Sequence, residues 1–197
     1  MSEPLACCIH GIDQAGIRPG RNVCVIGGGP IGLLMVQLAR LSGAACVILS
    51  EPVKTRRGLG LRLGADIALA PGAGDIGEQL LKTVGIPGAD VVIECVGNTN
   101  ATAQAIAAAD KGATVVLFSV PSPDSTYELQ LFQAFRKELT IKTSFINPDT
   151  HQRAVDLLNS GRIRIRELIT HQYPLEQVED AIRKQTQADS VKVVVTL

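Results

Sequence analysis

The chain of 197 residues has a length that suits one domain, or one domain with an appendage. Hydrophobic residues make up 46% and aromatics only 3%, so any sizeable core must be aliphatic. Nineteen basic residues balance nineteen acidic ones, which removes any compositional case for nucleic acid or an anionic membrane as partner. No apolar run approaches the roughly 20 residues that a bilayer span needs, and the N-terminus lacks the basic-then-apolar pattern of a signal peptide. The cysteines are Cys7, Cys8, Cys24, Cys46 and Cys95. Their number is odd and three fall in expected buried strands, so they read as small hydrophobes in a reducing cytoplasm rather than as a disulfide framework.

In chain order, Glu3–Ala15 is expected as a helix, with Leu5, Cys8, Ile9 and Ile12 along one face and Pro4 in its first turn. Gly16–Gly20 turns into a strand at Val23–Ile26. Gly27, Gly29 and Gly32 then supply G-x-G-x-x-G, and the apolar positions change to helical spacing at Leu33, Leu34, Val36, Gln37 and Leu38. A strand that breaks at glycines and restarts as a helix is the context in which this motif means dinucleotide binding. Gly27 permits the tight turn, Gly29 lets the backbone approach a pyrophosphate, and Gly32 lets helix and strand pack closely. Ala45–Ser50 is a second strand, and Glu51 at its end lies about 20 residues past the motif, where a carboxylate takes the ribose hydroxyls. That acid favours NAD over NADP, because a 2′-phosphate would meet like charge.

The next helix, Val53–Leu63, carries Lys54, Arg56, Arg57 and Arg62. Arg57 and Arg62 read as a solvated face; Arg56, one turn from the acid, is placed over the adenine or ribose by analogy of fold. A third strand at Ile67–Leu69, a loop at Pro71–Gly77 and a helix at Ile76–Val84 follow. Ala89–Val96 is nearly continuously apolar, as expected of a fourth strand buried on both faces. Thr99–Ala109 reads as a helix, Ala113–Phe118 as a fifth strand, and Ser119–Asp124 as a loop on the cofactor edge. Leu129–Lys137 is a helix and Leu139–Ile146 a sixth strand. The expected fold is α/β, a six-stranded doubly wound parallel Rossmann sheet in the order 3-2-1-4-5-6 over residues 20–147. Beyond it come a helix at Pro148–Asn159, a weakly alternating Arg162–His171, a helix at Leu175–Lys184 and a strand at Val191–Leu197, with no obvious sheet of their own. His10, His151 and His171 are far apart, no cysteines have C-x-x-C spacing and no G-x-S-x-G is present. A cofactor site is supported; a catalytic cluster is not.

Five segments occur in one order: Glu3-Pro-Leu-Ala6, Val25-Ile-Gly-Gly-Gly-Pro-Ile-Gly32, Leu63-Gly-Ala-Asp66, Val91-Val-Ile-Glu-Cys-Val-Gly97 and Ile169-Thr-His-Gln-Tyr-Pro-Leu-Glu176. Together they resemble the C-terminal part of a zinc-dependent medium-chain alcohol dehydrogenase, nearest to the polyol (sorbitol, arabinitol, galactitol) and threonine dehydrogenase branch. The resemblance covers essentially the whole chain. It implies that residues 1–19 are a linker helix and 148–197 are returning elements of a GroES-like catalytic domain whose front part is absent, so that the chain is a truncated portion and inactive alone. In the intact family zinc holds the alcohol and NAD accepts hydride; zinc is not expected in this chain. Carried over by resemblance, Pro30 belongs to the glycine turn, Ile31 touches the nicotinamide side, and Glu51 and Arg56 touch the adenosine ribose. Val96, at the end of the fourth strand, also meets the cofactor, Phe118, Ser119 and Val120 line the nicotinamide, and Ser144 and Phe145 form a further cofactor segment. Glu3 matches a position that approaches zinc in the parent enzyme only; as a plain acid at a helix N-terminus it is equally well explained by the dipole. Ile146 stands where sorbitol dehydrogenases carry a substrate-reaching arginine, a departure that argues against sorbitol and leaves other polyols and secondary alcohols open.

The implied partner is a small alcohol or polyol. The open edge of strand 139–146 implies a homodimer, or a tetramer built from it. Competing readings are a free-standing, non-catalytic dinucleotide-binding module, a zinc-free quinone reductase of the same superfamily, and a methyltransferase using S-adenosylmethionine. The last shares the glycine turn and acid but does not explain the tail.

Overall fold

Asn22–Ile26 (β1) lies inside a six-stranded sheet in the computed structural model, which describes residues 1–72 and 75–197. Residues 73 and 74 of the expected Pro71–Gly77 loop lie outside the described residues. Cys46–Ser50 (β2) and Ile67–Leu69 (β3) extend the sheet on one side of β1. Ala89–Glu94 (β4), Ala109–Leu117 (β5) and Thr140–Thr143 (β6) extend it on the other. Every pairing is parallel and the order is β3-β2-β1-β4-β5-β6, as the alternation of strands and helices implied. The direction of winding reverses between β1 and β4, and ligands of such sheets bind in the crevice at the carboxyl ends there.

Strand parity decides which core each side chain enters. Val23, Val25, Val47, Leu49, Val91 and Ile93 face the helices Ser2–Ala15 (α1), Pro30–Leu41 (α2) and Lys54–Leu63 (α3). Cys24, Ile26, Ile48 and Val92 face the short Ile76–Gln79 (α4) and Thr99–Ala108 (α5). This two-sided burial is why the strands read as unbroken apolar runs. The turn after β1 is equally constrained: Gly27 has φ 99°, and a Cβ on Gly32 would stand 1.8 Å from the Gly27 carbonyl oxygen. Asp66 explains the Leu-Gly-Ala-Asp segment. Its Oδ2 accepts the Val47 N–H at 2.7 Å and its carboxyl pairs with Arg40. Desolvation pushes that carboxyl up, but the Val47 N–H and the Arg40 guanidinium outweigh it, and the pKa ends lowered.

Several boundaries differ from expectation for visible reasons. β4 stops at Glu94 rather than Val96, because the Glu94 carboxyl takes the N–H groups of Val96 and Gly97 at 2.6 and 2.8 Å and turns the chain. The helix expected at Ile76–Val84 turns α-helical only to Gln79 and finishes as a π-helical turn, Leu80–Val84. β6 is Thr140–Thr143 rather than Leu139–Ile146, bracketed by Glu138 and Ile146 at positive φ. The helix before it, Leu131–Lys137 (α6), buries no residue.

The tail does have a sheet of its own, which corrects the sequence reading. Ile169–Pro174 (β7) and Lys192–Thr196 (β8) pair in parallel through Val178–Gln185 (α8), a βαβ unit whose helix and last strand were expected but whose first strand, at the end of the weakly alternating stretch, was not. His151–Asn159 (α7) packs on α1: Thr150 Oγ1 donates to the Ala6 carbonyl at 2.7 Å, and Arg153 pairs with Asp13. Gln37, expected among the apolar positions of α2, is buried and accepts the Arg164 N–H at 2.8 Å, joining α2 to the tail.

Two outcomes test this packing. Gly32→Ala should destabilise the chain by about 3 kcal/mol in urea unfolding, since the new methyl meets backbone rather than a yielding side chain. Asp66→Asn should lower the melting temperature at neutral pH. A depressed carboxyl stabilises above its unfolded value of about 3.9 and loses that contribution as pH falls through the folded value. The gap between wild type and variant should therefore be full above about pH 5 and narrow only as the pH falls below the unfolded value of about 3.9 and through the lower folded one.

Candidate functional site

Three clefts follow one another along the carboxyl edge of the sheet, with volumes of about 410, 340 and 330 Å³. The first lies at the β1–β2–β4 end and contains Gly27, Gly29, Glu51, Arg56 and Val96. The second runs past Phe118, Ser119, Val120, Ser144 and Phe145. The third shares Phe118, Val120, Ser144 and Phe145 and adds Ile31 and Glu3. Two expected residues line none of the three. Pro30 opens α2 in its first turn, and Gly32 packs against the Gly27 carbonyl. Residues far apart in sequence thus meet on one edge, because each sits just beyond the carboxyl end of a parallel strand or at the start of a helix facing that edge.

Glu51 is 3% exposed. Its Oε2 accepts the Gly28 N–H at 2.6 Å and its Oε1 the Val53 N–H at 2.8 Å, so the carboxyl bridges the glycine turn and the entry to α3. Two bonds leave lone pairs on each oxygen for a further donor. The arginines are arranged differently from expectation. Arg57 is half-exposed, and its guanidinium also donates to the carbonyls of Glu51 and Pro52, both at 2.7 Å. Arg56 lines the first cleft as expected, but its Nη2 is held by the Ser190 carbonyl of the tail. Arg62 remains on the outside.

Glu94 escaped the sequence reading as a functional residue. It is 2% exposed, mirrors Glu51 on the other side of β1, and shapes the turn that presents Val96 to the first cleft. An acid inside an apolar strand was the signal available. Asn98 caps α5 by accepting the Ala101 N–H at 2.9 Å. Ser50 Oγ, Arg56 Nε and Gln104 Oε1 are buried in residues lining the first cleft and have no hydrogen-bond partner. Orphaned polar atoms around a glycine turn and a buried acid fit a polar ligand of dinucleotide type.

The fit to a metal is different. At the third cleft Cys7 Sγ donates to Glu3 Oε1 at 3.1 Å, and Asn147 approaches the same oxygen. Burial, then the Glu3 hydrogen bond and charge, push the Cys7 thiol up to about 11. Among the described residues no three His, Cys, Asp or Glu side chains gather as a metal site. A protonated thiol and one carboxyl do not make the three-ligand set that a catalytic zinc takes.

A family profile described as zinc-binding dehydrogenase matches residues 30–160. Sorbitol dehydrogenase of Bombyx mori is 30% identical over 98% of this chain and 56% of its own length. D-arabinitol dehydrogenase 1 of Uromyces fabae is 30% identical, again over 98% of this chain and 56% of its own length. Among solved structures, a protein from Sinorhizobium meliloti 1021, described as a zinc-binding dehydrogenase and bound to NADP, superposes with a TM-score of 0.93 at 43% identity. It covers 99% of this chain, which spans 58% of that one. L-idonate 5-dehydrogenase of Escherichia coli gives a TM-score of 0.87 at 26% identity, over 99% of this chain and 56% of that one. The chain therefore spans little more than half the length of these relatives. With the matched segment, residues 30–160, covering more than half of the chain and the strands from β2 to β6, the chain belongs to the zinc-binding dehydrogenase family.

Proposed function

We propose that this chain is the cofactor-binding portion of an oxidoreductase that moves hydride between a secondary alcohol or polyol and NAD. The observation that carries this reading is the Glu51 carboxyl, buried at the end of β2 and clamped to the glycine turn inside the first cleft. Residues 20–147 form the dinucleotide unit in this reading, while 1–19 and 148–197 belong to a second unit that carries the alcohol site. The named relatives support a polyol or secondary alcohol as substrate, and the family supports zinc in the whole protein. Five free cysteines suit a reducing cytoplasm, and no helix of the described residues is long and apolar enough to cross a membrane.

Bound NAD supplies the hydride acceptor at C4 of its nicotinamide. This chain's own residues hold and orient it. Gly27 and Gly29 let the backbone and the N-terminus of α2 approach the pyrophosphate, with Pro30 giving up no useful N–H at the first helical position. Glu51 accepts the adenosine ribose hydroxyls, with Arg56 and Val96 at the same end. Ile31, Phe118, Ser119, Val120, Ser144 and Phe145 enclose the nicotinamide end and exclude water from one face of it. Glu3 lies where the alcohol site begins. NAD is favoured over NADP because Glu51 repels a 2′-phosphate, while Arg57 donates to the carbonyls of Glu51 and Pro52 and Arg56, through Nη2, to that of Ser190. The NADP in the Sinorhizobium meliloti relative makes this preference the point to measure.

A second copy of the chain is proposed at the free edge of β6, flanked by the exposed Leu131, Phe132 and Phe135 of α6. An exposed apolar helix beside an unpaired strand is a pairing surface, and family resemblance points the same way.

By calorimetry, Glu51→Ala should weaken NAD binding by about tenfold or more, the loss expected for hydrogen bonds to a charged acceptor. Glu51→Gln should narrow the preference for NAD over NADP by removing the repelling charge; unchanged affinities in both variants would sink the role of Glu51. The 197-residue chain should bind NAD without oxidising alcohols in the presence of added zinc, and clear turnover would refute its being a partial site. Light scattering should give the mass of two chains, and a monomer at micromolar concentration would remove the dimer.

A further inference from the structure

α5 runs into β5 with no turn between them: Ala108 is its last residue, and Ala109, at φ −72° and ψ 133°, already belongs to the strand. A helix that ends this way has no left-handed residue to fold N–H groups back onto its last carbonyls. Their donor comes from α6 instead. Lys137 Nζ donates to the carbonyls of Ile106, Ala107 and Ala109 at 3.4, 3.3 and 2.6 Å. An ammonium carries three protons, and three carbonyls face it here. A cation is also the charge that the carboxyl end of a helix favours.

α6 has little else along its length to hold it. Leu131, Phe132, Gln133, Phe135 and Arg136 are exposed, and only Ala134 and Lys137, three residues apart on the inner face, are half-buried. Leu129 before the helix and Leu139 after it pack on the core that α5 covers, so the segment is anchored at both ends. Between those anchors a cleft of about 350 Å³ separates α6 from the start of β5, with Asp110, Lys111, Gln133, Arg136 and Lys137 in its lining. A charged clamp thus does for this helix what apolar burial does for the others. We propose that Lys137 is a positioning residue for assembly: by closing α5 it fixes the pose in which α6 offers Phe132 and Phe135 to a second copy of the chain. The inference rests on the second-copy reading above and adds the group on which that surface depends. Lys137 lines none of the three clefts along the carboxyl edge, so pairing and dinucleotide binding are separable through it.

The test compares the 197-residue chain with Lys137→Met and Lys137→Arg by sedimentation, amide hydrogen exchange and calorimetry with NAD. Lys137→Met keeps the stem and removes the donors. It should raise the dissociation constant of the dimer about tenfold or more and speed exchange of the amides from Ala134 to Leu139, with NAD affinity unchanged. Lys137→Arg, which restores a charged donor set, should recover both readings. A lower melting temperature with an unchanged dissociation constant would mean that the clamp only stabilises, and would overturn the inference. So would unchanged exchange in α6, or a loss of pairing that Lys137→Arg shares. Should Lys137→Met not fold, Lys137→Gln takes its place with the same expected losses. A wild-type chain that stays monomeric removes the second-copy reading and this inference together, whereas a dimer that survives in Lys137→Met removes this one alone.

Discussion

Where β1 meets α2 the backbone closes on itself, with the Gly27 carbonyl occupying the space that a Cβ of residue 32 would need. Everything on the carboxyl edge depends on that approach. It brings the start of α2 down onto the sheet, aims its free N–H groups along the crevice, and leaves Gly28 close enough for its N–H to be taken by Glu51. The first cleft exists because this turn has no side chains of its own to fill it.

Two acids frame the turn. Ile26 is in register with Ser50 on one side and with Glu94 on the other. Glu51 follows the first of these and Glu94 is the second. Each is buried, and each spends its carboxyl on backbone N–H groups that would otherwise be orphaned where a strand ends. The pair has unequal standing at the site: Glu51 lines the first cleft, while Glu94 lines the next one and governs the path of Cys95–Gly97. Buried acids so placed hold loops in the conformation a ligand requires before it arrives, which is the condition for binding without a large ordering cost.

The tail is bound to this frame at a few polar points. Gln37 meets Arg164, Thr150 meets Ala6, and Arg56 meets Ser190. Arg56 is the most consequential, since one side chain touches both the first cleft and residues 148–197. Outward, the tail carries apolar side chains on α8 and beside it, with Leu175, Val178 and Ile182 exposed. They are consistent with a chain that spans little more than half the length of its relatives.

The alternation of apolar runs and helical spacing determined the sheet, its order and the glycine turn, because a parallel strand buried on both faces and a glycine-rich strand-to-helix turn each leave a local pattern. The five ordered segments were enough to identify the family resemblance, and Glu51 was legible from its distance to the turn. What local pattern does not carry is who meets whom. In the tail the helix and the last strand were legible, but β7 and its pairing with β8 were not, because β7 is short and half-exposed. Arg56 and Arg57 each proved to hold a backbone carbonyl that the sequence did not announce, because helix spacing says which face a side chain occupies and not which carbonyl lies opposite. Glu94, Ser50 and Gln104 came to line two adjoining clefts only once strand parity and helix packing placed them there. Period and motif are properties of neighbouring residues, and the sequence determines them; a binding site joins the ends of separate strands, and only the tertiary structure decides which ends those are.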